Sequence, residues 1–272
     1  MLVVGCAGYF CFHREGLAFR LPKPLQELTS FKYEYKAIYR YGTFFLAAGQ
    51  DYSTFRTCGT SPTDGNNKKS LLLWGDSYAA HLYPGYKAYF GQKFNIVQRT
   101  AGTCPPVLHM GIDSSPKCQG INDHIFEAIR LNKPDKVVLA ANWVAYDWIK
   151  VEGTINELRG LGITDIDLIG PEPLWIDGLP KELSLYYRHD KNHQIPDRMK
   201  FGLNQSFIET DALMFDFAEK LQVNYISPRK IMCNELGCIT KLGESGDKLV
   251  AWDLGHLTET GSLYLVSHFP GK

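Results

Sequence analysis

From Ser70 onward the chain alternates short apolar runs with longer stretches of mixed polarity. Leu71–Trp74, Phe94–Gln98, Lys136–Ala141, Asp165–Ile169 and Val223–Ile226 are rich in Val, Ile and Leu. They predict short strands buried on both faces of a parallel sheet. Ser77–Gly91, Asn122–Leu131, Glu152–Leu161 and Ser206–Leu221 predict the intervening helices, with Pro134, Gly160 and Gly162 punctuating the connections. A βαβ rhythm of this kind predicts a doubly wound, three-layer α/β/α sandwich around a central parallel sheet. Functional groups in such sheets gather at the carboxyl ends of the strands. Ser77, Gly102 and Asn142 each follow one of the first three predicted strands within a few residues.

The N-terminal part reads differently. Residues 13–69 carry Pro22, Pro24, frequent Tyr and Phe, and a polar stretch from Thr60 to Lys69 with Pro62, Gly65, Asn66 and Asn67. They predict a linking extension that packs on the following domain, residues 70–272, and ends in a loop. Residues 1–12, MLVVGCAGYFCF, are apolar up to His13. A bilayer crossing needs about twenty residues, and neither a basic leader nor a small-residue cleavage site is present. The segment is read as the end of a transmembrane helix, with a buried strand or helix as the alternative.

Composition narrows the possibilities. The 272 residues are 44% hydrophobic and 21% charged, as in ordinary globular proteins. Lys+Arg and Asp+Glu both number 29, so no net field points to nucleic acid or an anionic membrane. Of seven cysteines, Cys104 and Cys118 flank a Pro-containing loop, and Cys233 and Cys238 close a short turn containing Gly237. Loop-borne pairs at these spacings are read as disulfides of an exported chain. A zinc site is the alternative, but neither pair has Cys-x-x-Cys spacing with a matching second half. Cys6, Cys11 and Cys58 are left without an assigned partner.

The candidate chemistry begins at Ser77, which ends Leu-Leu-Leu-Trp-Gly-Asp-Ser. A serine hydroxyl needs a base to become a nucleophile, and a helix N-cap is the ordinary role for a serine in this position. Asp253-Leu254-Gly255-His256 changes the balance, because the carboxylate can orient the imidazole and leave its other nitrogen for serine. His81, four residues after Ser77, is a competing base without an evident orienting acid. The Ser77 and Gly102 N–H groups and the Asn142 amide are candidate oxyanion donors. His81, Trp143 and Trp252 are candidate substrate contacts, Trp143 and Trp252 because they adjoin Asn142 and Asp253. His189 and His193 have helical metal-ligand spacing, yet lack the intervening Glu of the zinc-protease motif and read as a solvated loop. No metal site is expected.

Ser77, Gly102, Asn142 and His256, in that order, resemble the SGNH hydrolase superfamily, over about residues 70–269. Leu73–His81, Cys104-Pro105-Pro106, Ala140–Trp143, Cys233–Cys238 and Trp252–Thr258 are similar to a narrower group. These are the extracytoplasmic domains fused behind acyltransferase-3 membrane domains in bacterial O-acetyltransferases of the O-antigen-modifying type. Tyr78 stands where that group often has histidine, and Asn142 where many relatives have arginine. The resemblance implies a flavodoxin-like fold and a Ser77–His256–Asp253 triad passing acetyl to a polysaccharide hydroxyl. It further implies a membrane domain on the same polypeptide, location at the periplasmic face of the inner membrane, and no cofactor in this domain. Acetyl-CoA would be the ultimate donor, used by the membrane part. An acetylesterase with the same triad, and a non-catalytic polysaccharide-binding domain, are the alternative readings.

Overall fold

The structure, a computed structural model, describes residues 18–56, 68–110, 115–243 and 248–271 together with Gly5, Gly8, Tyr9 and Phe12. Most of residues 1–12, and Cys6, Cys11 and Cys58, lie outside the described residues. Among the described residues, no helix is long and apolar enough to cross a membrane.

In chain order the helices are α1 (Lys23–Ser30), α2 (Tyr35–Ile38), α3 (Ser77–Ala80), α4 (Tyr83–Tyr89), α5 (Cys118–Asn132), α6 (Val151–Gly160), α7 (Leu179–His189), α8 (Ser206–Leu221), α9 (Pro228–Met232) and α10 (Glu259–Val266). The strands are β1 (Phe45–Leu46), β2 (Lys69–Gly75), β3 (Phe94–Ala101), β4 (Lys136–Ala140), β5 (Ile166–Ile169), β6 (Arg198–Met199), β7 (Asn224–Ile226), β8 (Cys233–Asn234) and β9 (Gly237–Ile239). Six strands form one parallel sheet in the order β1-β3-β2-β4-β5-β7, and β6-β9-β8 form a small antiparallel sheet. The five long apolar runs therefore became the five main strands, in the doubly wound α/β architecture expected from their rhythm.

Period-two alternation explains how the strands build two cores at once. Leu71, Leu73, Val138 and Ala140 point to one side, where Leu25, Leu28, Tyr86, Leu179, Leu183 and Leu265 cover them. Leu72, Trp74, Val137 and Leu139 point to the other, against Ile121, Ile125, Ile129, Ile155, Leu158 and Met214. The predicted helix Ser77–Gly91 is two helices, because Pro84 has no N–H to continue the first and sits in the opening turn of the second. The extension supplies β1, which pairs with β3 at the sheet edge, and α1, which packs on α7. Disulfides join Cys104 to Cys118 and Cys233 to Cys238.

Register sets the site. Gly75 is the partner of both Thr100 and Ala140, so the carboxyl ends of β2, β3 and β4 finish side by side. Gly75 has φ +153°, and a Cβ there would come within 1.7 Å of the Ala140 carbonyl oxygen. Only glycine lets the chain turn from β2 into Ser77 against β4.

Candidate active site

Asp76 and Ser77 leave β2 together but do different work. Asp76 is the buried N-cap of α3, accepting from the Tyr78 N–H at 2.8 Å and, through its other oxygen, from the Asn142 N–H at 3.1 Å. Burial raises its carboxyl, and these two N–H bonds oppose the shift. The β2 and β4 ends are thereby tied together beneath Ser77. Within Leu71–Ala80, Ser77 is half-buried while all the other residues are buried.

The C-terminal turn brings the acid and the imidazole. Asp253 Oδ1 accepts from the Gly255 N–H at 3.0 Å and the His256 N–H at 2.8 Å, closing the turn on itself. Its Oδ2 lies 2.7 Å from His256 Nδ1, and His256 Nε2 lies 2.8 Å from Ser77 Oγ. The three side chains thus form a continuous relay. Burial alone would raise the Asp253 carboxyl, but the hydrogen bond and charge of His256 with the two backbone N–H groups hold it below the usual carboxylate range. Gly255 lacks a side chain for a local reason: a Cβ there would meet Leu174 Cδ2 at 2.5 Å and the Tyr78 hydroxyl at 2.9 Å.

Such a relay, set at the strand ends of a doubly wound sheet, is equipped for acyl transfer through serine. The sequence-family model described as "SGNH domain (fused to AT3 domains)" matches residues 43–270. The chain belongs to the SGNH family. It is similar to the periplasmic domain of a Salmonella ser. Paratyphi A lipopolysaccharide acetyltransferase, at 27% identity and a TM-score of 0.76, covering 89% of this chain and 97% of that one. It also matches a carbohydrate acetylesterase from Sinorhizobium meliloti, at 13% identity, TM-score 0.44 and 73% and 95% coverage. None of the curated proteins matches it. The family places the chain among acyl-transfer enzymes.

Not every candidate of this SGNH domain lies where the sequence suggested. The Gly102 N–H donates to Leu46 O at 2.9 Å, extending the β1–β3 ladder by one bond, so it is already occupied. The Ser77 N–H and the Asn142 side-chain amide have no hydrogen-bond partner among the described residues, so both are left as candidate oxyanion donors. Trp143 is fully buried and donates through Nε1 to Ile169 O at 2.7 Å; it is a core residue, not a substrate contact.

His81 is likewise fully buried. Its Nδ1 accepts from the Leu257 N–H at 3.2 Å, which leaves the proton on Nε2, 3.2 Å from Glu172 Oε1. Burial, and then the charge of His256, lower its pKa well below the ordinary value. A neutral imidazole with both nitrogens engaged is neither the base nor a substrate contact; it anchors the backbone just after His256. His189 ends α7, and His193 Nδ1 lies 3.0 Å from Tyr187 O.

Trp252 does border the relay. Its ring stacks on His256 at 5.5 Å and on Tyr35 at 5.1 Å with planes 4° apart. Its Nε1 donates to the Tyr39 hydroxyl at 2.9 Å, and that hydroxyl donates to Leu257 O at 2.5 Å. The extension therefore holds the histidine in place from one side, while Tyr78 packs on it at 4.5 Å. Asp76, Glu172, Tyr35 and Tyr39 were not singled out from sequence. Glu172 carried a usable signal, since Pro171-Glu172-Pro173 follows β5 after Gly170, at the carboxyl edge of the sheet. The tyrosines carried none, because their partner is more than two hundred residues away.

Proposed function

We propose that this SGNH domain is an O-acetyltransferase in which Ser77 carries acetyl to a hydroxyl of a surface polysaccharide of the lipopolysaccharide O-antigen type. The observation that supports it most directly is the unbroken relay from Asp253 through His256 to Ser77 Oγ, at 2.7 and 2.8 Å. Ser77 Oγ attacks the acetyl carbonyl of the donor as its proton passes to His256 Nε2, and Asp253 stabilises the imidazolium that forms. The Ser77 N–H and the Asn142 amide hold the developing oxyanion. Collapse breaks the bond to the donor's leaving group, which takes the proton from His256. A sugar hydroxyl then attacks the acyl-serine, giving its proton to His256, and the proton returns to Ser77 as the sugar ester leaves.

Fusion of the family to acyltransferase-3 domains favours a donor delivered through a membrane domain, with acetyl-CoA as the ultimate source. It also favours location at the periplasmic face of the bacterial inner membrane. A carbohydrate acetylesterase is the second reading, favoured by solvent access to the relay: the His256 and Asp253 side chains are 22% and 30% exposed. Acetyl content of the surface polysaccharide, compared between cells with the wild-type full-length protein and with Ser77→Ala, separates these readings. Lower acetylation in the mutant is expected. Higher acetylation would replace transferase by esterase, and no change with the protein present and folded would remove Ser77 from the reaction.

A further inference from the structure

An open cleft of about 550 Å³ lies between α1 of the extension and α7, with Trp252 and Asp253 among its lining residues. Its volume is in the range of small-molecule and oligosaccharide sites. We propose that this cleft holds the acceptor strand, and that it selects an oligosaccharide bearing a carboxylate or phosphate, which pairs with Arg188. This rests on the acetyl-transfer reading above and adds to it the place and the charge of the acceptor.

The direction of the cleft follows from α7. Lys181, Ser184, Leu185 and Arg188 line it at intervals that fall on one helical face. Gly178, just before the first turn, is at the triad end: a Cβ there would sit 3.3 Å from the Asp253 carbonyl carbon. At 1.5 Å rise per residue, Arg188 is about 15 Å from that end, room for a short run of sugar rings leading away from the relay. Leu28, Phe31, Pro180 and Leu185 supply apolar surface for the C–H faces of those rings.

Polar groups along the wall suit hydroxyls. The Thr29 hydroxyl donates to Leu25 O at 2.8 Å and the Ser184 hydroxyl to Pro180 O at 2.9 Å. Both donors are thus spent on helix carbonyls, and lone pairs are left to accept from sugar. Two cations, Lys181 and Arg188, and two carboxylates, Asp177 and Asp253, line the cleft, but they are unevenly placed along it. Lys181 is paired with Asp177 at 2.9 Å and Asp253 with His256 at 2.7 Å. Arg188 is exposed and has no carboxylate partner among the described residues. A guanidinium binds a carboxylate or phosphate through two parallel hydrogen bonds, which makes the far end of the cleft an anion-reading position.

Calorimetric titration of the protein with tri-galacturonate and with maltotriose tests this. Tri-galacturonate is expected to bind the wild type more tightly than maltotriose, and Arg188→Ala to weaken tri-galacturonate about tenfold or more while leaving maltotriose unchanged. Thr29→Trp, which fills the cleft from an exposed position on α1, is expected to weaken both. Thermal unfolding midpoints equal to wild type confirm that both variants fold. Equal affinity of wild type and Arg188→Ala for tri-galacturonate would overturn the proposal, as would tighter binding of maltotriose or no binding of tri-galacturonate at all. Turnover of p-nitrophenyl acetate by the wild type, which needs no acceptor, reads Ser77 separately. Loss of that activity with intact sugar binding would remove the acetyl-transfer reading and leave the cleft as a glycan site.

Discussion

Replacing Asp253 by asparagine probes the relay at the atom where geometry is most constraining. Asp253 Oδ1 accepts two backbone N–H bonds, at 3.0 and 2.8 Å. An asparagine must keep its carbonyl oxygen there, because an NH2 group cannot accept them. Its NH2 is then forced into the Oδ2 position, 2.7 Å from His256 Nδ1. Donor would face donor unless Nδ1 gives up its proton, which moves that proton to Nε2 and leaves nothing to accept from Ser77 Oγ. Two losses combine. Removing the carboxylate forfeits Coulomb stabilisation of the imidazolium, about 4 kcal/mol for charges 4 Å apart at an effective dielectric constant near 20, reduced here by partial exposure of both groups. The same substitution has cost about 10⁴ in rate in the best-studied serine triad, with both losses included. The expected outcome is a fall of about 10³ to 10⁴ in p-nitrophenyl acetate turnover, or about 4 to 5.5 kcal/mol in the barrier, with KM little changed. The two backbone bonds survive, so the thermal midpoint should stay within a few degrees. Asp253→Ala provides the contrast: it removes the charge but imposes no tautomer, so it should retain more activity than Asp253→Asn. Turnover by Asp253→Asn within tenfold of wild type would refute the relay, and Asp253→Ala slower than Asp253→Asn with both folded would refute the tautomer argument.

Three further outcomes follow from the same structure. Tyr39→Phe leaves the Trp252 N–H and the Leu257 carbonyl without their partner; urea unfolding should show a loss of about 1–3 kcal/mol, with slower acylation of Ser77. Replacing Cys104 and Cys118 by serine opens a loop whose ends are 14 residues apart in sequence, for which chain entropy sets a loss of about 3 kcal/mol, seen as a lower denaturant midpoint. Glu172 is buried beside His81 with its Oε2 unpartnered. Burial raises its carboxyl well above the ordinary 4.5, its own backbone N–H opposing and the Asp76 charge adding. The folded state then keeps a proton that the unfolded state releases, so stability falls as pH rises above about 4.5. Glu172→Gln should flatten that decline in urea unfolding from pH 4 to 9 and be at least as stable as wild type at pH 8; an unchanged slope would refute it.

What the sequence determined by itself is whatever depends on near neighbours. The five main strands could be read because continuous Val, Ile and Leu runs need burial on both faces. Asp253 and His256 could be read because three residues suffice to close their turn, and Ser77 because a strand-to-turn passage exposes one side chain. The loop cysteines were legible from their spacing. Helix α7 was harder, since the buried Leu179, Leu183 and Tyr187 are interrupted by Lys181 and Ser184, which face the cleft, and by the buried Glu182. Tertiary structure decided the rest, because the partners come from distant segments. Gly102 loses its free N–H only because Leu46, far back in the extension, pairs at the sheet edge. His81 and Trp143 sit one step from Ser77 and Asn142 in motif, yet helical and turn geometry aims them into the core, where Glu172, Leu257 and Ile169 satisfy their nitrogens. Tyr35 and Tyr39 reach Trp252 across the whole length of the domain. A local pattern can specify which groups are presented at a strand end, but whether a given N–H or imidazole is free depends on what the fold packs against it.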